Sequence, residues 1–278
     1  MEINPLKQYF RQPAIYVRLP SNGDFYPAGA IERTPNGEYP VLPMTTIDEI
    51  TYRTPDALFN GNAVTSVIQS CMPNIKNAWV IPSIDVDTIL VAIRVASYGH
   101  AMSVSTQCPS CQNTDDHEVD LRTVMDQIQA PDYQSNLTVG DLEIWFSPMS
   151  YQQMSTNAMT QFEEQKTIQL LQDSDAPDDQ KLVELNAMLK KITTATVKSL
   201  AQSIQLVKTP TAQVTDQDQI YEWLINCDRS IFNRIRDRVL ELKATSELQP
   251  LSINCRSCQK SYQQMMTLDM SNFFVDAS

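Results

Sequence analysis

Glycine, histidine and positive charge are scarce in this 278-residue chain. Six glycines form no Gly-rich loop that could cradle a phosphate, and no Gly-x-Ser-x-Gly turn presents a nucleophilic serine. Two histidines, His100 and His117, sit in no motif, so acid–base chemistry near neutral pH has few carriers. The carboxylate pair Glu163-Glu164 falls on a polar helical stretch and would serve a hydrolase only by tertiary accident. A formal charge of −12 and a pI near 4.6 disfavour binding to a phosphate backbone and suit charge-complementary protein partners. No apolar run reaches the roughly 20 residues that a membrane-spanning helix needs. The N-terminus shows no basic region followed by an apolar stretch. The chain therefore reads as made and kept in a cytoplasm, where thiols stay reduced and Cys-x-x-Cys points to metal sooner than to a disulfide.

Against these scarcities stand two Cys-x-x-Cys motifs in matching surroundings. The first is Cys108-Pro109-Ser110-Cys111, preceded by Val104-Ser105-Thr106-Gln107 and followed by Gln112. The second is Cys255-Arg256-Ser257-Cys258, preceded by Leu251-Ser252-Ile253-Asn254 and followed by Gln259. Each reads as strand, tight knuckle, strand. A two-residue spacer lets one turn point both sulfurs at a single ion, and two such knuckles supply the four soft ligands of a tetrahedral structural zinc. Cys108, Cys111, Cys255 and Cys258 are thus the candidate metal ligands, with Zn²⁺ the candidate ion and no position left open for water or substrate. The intervening residues 112–254 weaken the match to a compact zinc motif. Two separate reduced thiol pairs, or disulfides, remain the alternatives. A catalytic dithiol fits worst, because neither pair opens a helix in a βαβ unit.

The rest of the chain divides by composition. Residues 1–45 are punctuated by Pro5, Pro13, Pro20, Pro27, Pro35, Pro40 and Pro43, with strands at Ala14–Leu19 and Tyr39–Leu42. This segment reads as an extended N-terminal arm packed along its own body or a neighbour's. Residues 46–149 read as a mixed body holding the first knuckle. Thr46-Ile47-Asp48-Glu49 has capping-box spacing, and Thr54-Pro55-Asp56-Ala57 opens a second helix. Its apolar side includes Leu58, Val64, Val67, Ile68 and Cys71, which reads as a core thiol. Asp85 and Asp87 are expected to cap the helix that runs to Gly99. A hairpin turns at Gly140-Asp141, with Trp145 on the side opposite the apolar one. Residues 150–245 read as a polar helical insertion, its helices separated by the acidic turn Asp173–Asp179. Its last helix gathers Arg229, Arg234, Arg236, Arg238 and Lys243, which read better as a solvated face balanced by Asp237 and Glu241 than as a docking surface. Residues 246–278 hold the second knuckle and a tail with Phe273-Phe274.

Several of these stretches also carry a resemblance. Phe25-Tyr26-Pro27, Pro43–Glu49, Arg53–Gly61, Ala92–Gly99 and Cys108–Cys111, in that order, resemble the baseplate protein family of contractile-tailed bacteriophages, typified by the baseplate hub subunit of T-even phages. The likeness is dense from about residue 25 to 121, returns at Cys255–Cys258 and Ser271–Phe274, and is loose between. It implies a non-enzymatic assembly protein of the virion tail baseplate, present in several copies against other hub, wedge and tail proteins, and put together in the bacterial host cytoplasm. The expected architecture is α+β: split zinc-ribbon-like hairpins, a large helical insertion and an N-terminal arm. A zinc-ribbon adaptor of phage transcription or assembly is the second reading, which the acidic charge argues against. A hydrolase acting during infection is a distant third.

Overall fold

The computed structural model describes residues 4–53, 61–172 and 177–265. The expected helix start Thr54–Ala57, with Leu58, lies outside them, as do Asp173–Ala176 of the acidic turn and Ser271–Phe274 of the tail. The chain is α+β, with eight α-helices among the described residues and only small antiparallel sheets. It forms two compact units: residues 1–130 with 246–278, and residues 131–245.

The first unit is built around one helix. After strands β1 (Ile15–Arg18) and β2 (Glu38–Val41), paired with Ile15 opposite Val41, come helices α1 (Thr46–Tyr52), α2 (Asn62–Cys71) and α3 (Ser83–Tyr98). Helix α3 is buried nearly all round, from Ile84 through Arg94, with Asp87 the one partly exposed position. A helix apolar on all sides belongs at a core's centre. Leu19 just after β1, Tyr39 and Val41 from β2, and Val67, Ile68 and Met72 from the α2 region, belong to the same buried set. Gly99, at φ +86°, ends α3 and turns the chain into β3.

Of the two settings expected for the N-terminal segment, its own body or a neighbour's, the described residues show the first. Residues 11–45 are part of the first unit's body, and Arg11 shows why. Its guanidinium donates to Pro43 O (2.5 Å), Asp48 Oδ2 (3.1 Å), Ser70 O (2.8 Å) and Ser70 Oγ (2.7 Å). A planar fork of five donors can satisfy several acceptors at once, and the positive charge lies at the C-terminal end of α2, where the helix dipole favours it. The α1 capping box falls one residue earlier than expected: Thr45 accepts from Asp48 N, and Asp48 accepts from Thr45 N. An aspartate three residues on completes the box as a glutamate would. Asp85 is no cap either. Pro82 holds that position, and the Asp85 carboxylate, fully buried, accepts from Ser21 N (2.8 Å), Ser21 Oγ and Tyr26 Oη (2.9 Å).

Strands β3 (Ala101–Gln107) and β4 (Thr114–Asp120) form the first knuckle hairpin, followed by α4 (Leu121–Gln127). The second unit then begins at Pro131, earlier than the expected boundary at 150. Its hairpin of β5 (Leu137–Val139) and β6 (Leu142–Phe146) is joined by a strand from beyond the long helices, which draws it into the insertion. Helices α5 (Tyr151–Gln172) and α6 (Asp178–Gln202) form an antiparallel pair; Ser150 and Gln153 close a capping box at the start of α5. Immediately after α6, β7 (Ile204–Lys208) pairs with β6, and β8 (Gln213–Val214) completes the sheet in order β5-β6-β7-β8. The insertion is therefore not purely helical. Helices α7 (Gln217–Asn226) and α8 (Arg229–Ser246) close over one sheet face, where Ile144, Phe146, Ile204, Val207, Ile220, Leu224 and Ile235 form the core. Asp216 caps α7 by accepting from Gln219 N. Trp145 points to the other face, opposite Leu206 and 6.0 Å from the Lys208 ammonium. The chain returns to the first unit as β9 (Leu251–Asn254) and β10 (Ser261–Gln264), the second knuckle hairpin.

Candidate metal centre

Both knuckles fold by the same local bonds. In the first, Cys108 N donates to Asn113 O (2.9 Å) and Gln112 N donates to Cys108 O (2.8 Å). In the second, Cys255 N donates to Lys260 O (3.0 Å) and Gln259 N donates to Cys255 O (2.9 Å). Gln112 and Gln259 occupy the left-handed region at φ 59° and 58°. A side chain is rare there, and the same amide at the same offset marks one turn built twice. The glutamines are visible in the sequence as matched residues; their backbone role is not.

The two turns meet. Cys108 Sγ lies 3.7 Å from Cys258 Sγ, and Cys111 Sγ lies 3.6 Å from Cys255 Sγ. All four sulfurs fall within 4.8 Å of one another. Exchanging the knuckles turns the first close pair into the second, so the centre has an approximate twofold arrangement. Covalently bonded sulfurs would be about 2.05 Å apart, so these four are free thiols. A tetrahedral ion with metal–sulfur bonds of about 2.3 Å holds its sulfurs about 3.8 Å apart. The close pairs match that spacing, so the four residues fit a metal ion. Cys108 and Cys255 are buried, Cys258 is half-buried and Cys111 exposed, which puts the centre at the edge of the unit. Beyond the cysteines, Thr106 Oγ1 and Tyr262 Oη share a hydrogen bond of 2.6 Å that ties β3 to β10, a contact the sequence did not suggest.

The electrostatics of the thiols fit the same reading. Burial pushes the Cys108 thiol up, but the N–H groups of Cys111 and Ser110, with the Cys111 and Cys258 thiols, outweigh it and bring Cys108 down to about 7. Cys111 goes the other way. The Asn113 amide favours its thiolate, yet burial and the thiols of Cys255, Cys258 and Cys108 push it up to about 12. One thiolate forms readily and hinders the next, because like charges this close oppose each other. A bound cation removes that conflict.

Other residues singled out in the sequence lie elsewhere. Asp85, Asp87, His100 and His117 are not in the cluster. Cys71 is fully buried with Arg11 Nη1 at 3.8 Å from its sulfur, and burial pushes its thiol up to about 12. It is the core thiol expected. The cations of α8 are engaged locally: Arg234 with Thr138 O (2.9 Å), Arg236 with Asp237 (2.7 Å) and Arg238 with Glu241 (2.9 Å).

The structure thus defines a class: an α+β protein with small antiparallel sheets, whose two distant Cys-x-x-Cys turns close into one four-thiol cluster able to hold a metal. The family model for the T4 bacteriophage base plate protein matches residues 34–275, a span that contains both knuckles and the whole second unit. The chain belongs to that family. Neither the curated proteins nor the solved structures give a match. Membership makes this a structural protein of the phage baseplate, located in the virion tail and associated with other tail or baseplate proteins. No described helix is long and apolar enough to cross a membrane.

Proposed function

We propose that the chain is a non-enzymatic assembly subunit of a contractile-tail baseplate, at the hub or the hub–wedge junction, where it holds neighbouring tail proteins together. The observation that carries this reading is the family match across residues 34–275. In this reading several copies assemble in the host cytoplasm before the tail is complete. Cys108, Cys111, Cys255 and Cys258 hold one structural zinc, and the two hairpins form a zinc ribbon interrupted by residues 131–245. Zinc there would neutralise the thiolates and fasten two chain segments that are far apart in sequence. The chain's own part is to present four sulfurs at nearly the required spacing and to direct backbone N–H groups at them. The adaptor reading has no comparable support: net charge −12 works against a nucleic-acid surface.

Two measurements on the phage test the proposal. The chain should be found by mass spectrometry in purified tails and in hub or hub–wedge intermediates. A nonsense mutation in its gene should leave free sheath and tube proteins without finished baseplates. Complete, infectious tails assembled without the chain would refute the assembly role.

A further inference from the structure

Charge is distributed unevenly in the second unit. From Leu185 to Thr215 the chain contains Lys190, Lys191, Lys198 and Lys208 and no acidic residue, although the whole protein carries −12. Three of these lysines line one seam of the α5–α6 pair, an open groove of about 730 Å³. Its walls include short side chains, Thr156 and Thr160 from α5 and Ala187, Thr194 and Ala195 from α6, beside the amides Gln152, Gln153, Asn157 and Gln202. Among the described residues Glu164 is the one acidic residue lining the groove, and its carboxylate is ion-paired with Lys191 at 3.5 Å. Lys190 and Lys198 have no ion-pair partner among the described residues and are exposed.

We infer that this seam is a docking groove for an acidic amphipathic helix of a partner protein. The short walls let a third helix approach closely, with small residues of its own against Ala187 and Ala195, as ridges pack into grooves between helices. Glutamates flanking that contact stripe would meet Lys190 and Lys198, which have no ion-pair partner among the described residues. Charge complementarity selects the partner and its register. A nucleic acid fits less well: among the described residues the groove has no arginine and no aromatic side chain on which a base could stack. The inference concerns this surface alone and does not depend on the baseplate position proposed above.

The test uses the full-length protein and two designed helical peptides of about six turns. Both have alanine along one stripe; one is flanked by glutamate and the other by lysine at the same positions. Fluorescence anisotropy should show binding of the glutamate peptide only. Lys190→Glu with Lys198→Glu should weaken it about tenfold or more, with circular dichroism unchanged because both positions are exposed. Ala187→Trp fills the groove without altering charge and should weaken binding to a similar extent. The inference is overturned if the glutamate peptide does not bind, or if Ala187→Trp binds as the parent does, which would leave charge attraction without a groove. It is also overturned if the parent protein self-associates in sedimentation and the lysine substitutions abolish this, since the occupant would then be a second copy. Binding of a single-stranded oligonucleotide, lost in the same variants, would overturn it as well.

Discussion

At the scale of single residues, the first unit depends on a few groups whose surroundings leave no alternative. Gly23 has φ +81°, and a Cβ there would come 2.7 Å from the Tyr39 hydroxyl, whose side chain is almost wholly buried and cannot swing away. Gly23→Ala should therefore lower stability by about 1–3 kcal/mol, seen as a lower urea midpoint with an unchanged slope. Asp85 makes a pH-dependent case. Burial pushes its carboxyl up to about 6, even though the Ser21 hydroxyl, the Ser21 amide and Tyr26 all pull it down. A carboxyl whose folded pKa is raised binds protons more tightly in the folded state. It contributes stability that is complete below the unfolded value near 3.9 and is lost as pH rises through about 6. The difference is on the order of 3 kcal/mol. The stability gap between the parent and Asp85→Asn should thus shift by that order, against the parent, between pH 4 and pH 7. A pH-independent gap would show that Asp85 does not titrate there. Asp48 has the opposite sign. Burial raises it, but hydrogen bonds from Thr45 and Ser70 and the Arg11 charge bring it below its ordinary value. Its contribution is present above that value and fades in acid.

At the scale of elements, Arg11 joins pieces that the chain delivers separately: the stretch before β1, the Pro43 carbonyl ahead of α1, Asp48 in α1, and the last turn of α2. Arg11→Ala would leave Asp48 without its countercharge and the Ser70 carbonyl without this donor. A loss of about 1.5–3 kcal/mol is expected, with Arg11→Lys recovering only part, because one ammonium cannot reproduce the fork. Equilibrium denaturation of the three proteins measures this; full recovery by lysine would mean that charge alone matters. The sequence shows why such elements exist, and less about which ones meet. The apolar spacing of Val64, Val67, Ile68 and Cys71 and the Gly99 stop are local features, and each is found where its pattern placed it. Strand β7 is not legible in that way. Only Ser203 separates it from α6, so its alternation is hidden behind a helix, and its place in the sheet depends on β6, far back in the chain. The burial of Asp85 is equally non-local, since its partners Ser21 and Tyr26 lie in a segment that composition alone marks as turns.

At the scale of the molecule, the four cysteines turn two local motifs into one long-range closure. The knuckles were legible because each is a short turn that dictates its own bonds, down to the matching glutamines. Their meeting across residues 112–254 depends on the fold of the first unit. Among the described residues no disulfide joins the second knuckle hairpin to the first; the four sulfurs and the Thr106–Tyr262 bond bring them together. If a metal is the fastening, protein purified without chelator should contain about one zinc per chain, and Cys255→Ser should lose it. Cobalt substitution should give the absorption of a tetrahedral thiolate site, a readout independent of stability. Removing the metal should free the amides that form both turns, so hydrogen exchange should quicken at Cys108 and Gln112 together with Cys255 and Gln259. The second unit has its own core around Ile144, Phe146, Ile204 and Ile235, and its slow amides should stay slow. Equal exchange with and without chelator, in protein that contains no metal, would leave the cluster as four packed thiols, with the Thr106–Tyr262 bond and side-chain packing as the closure. Paired acceleration at both knuckles would establish that one ion fastens the two ends of the first unit's chain.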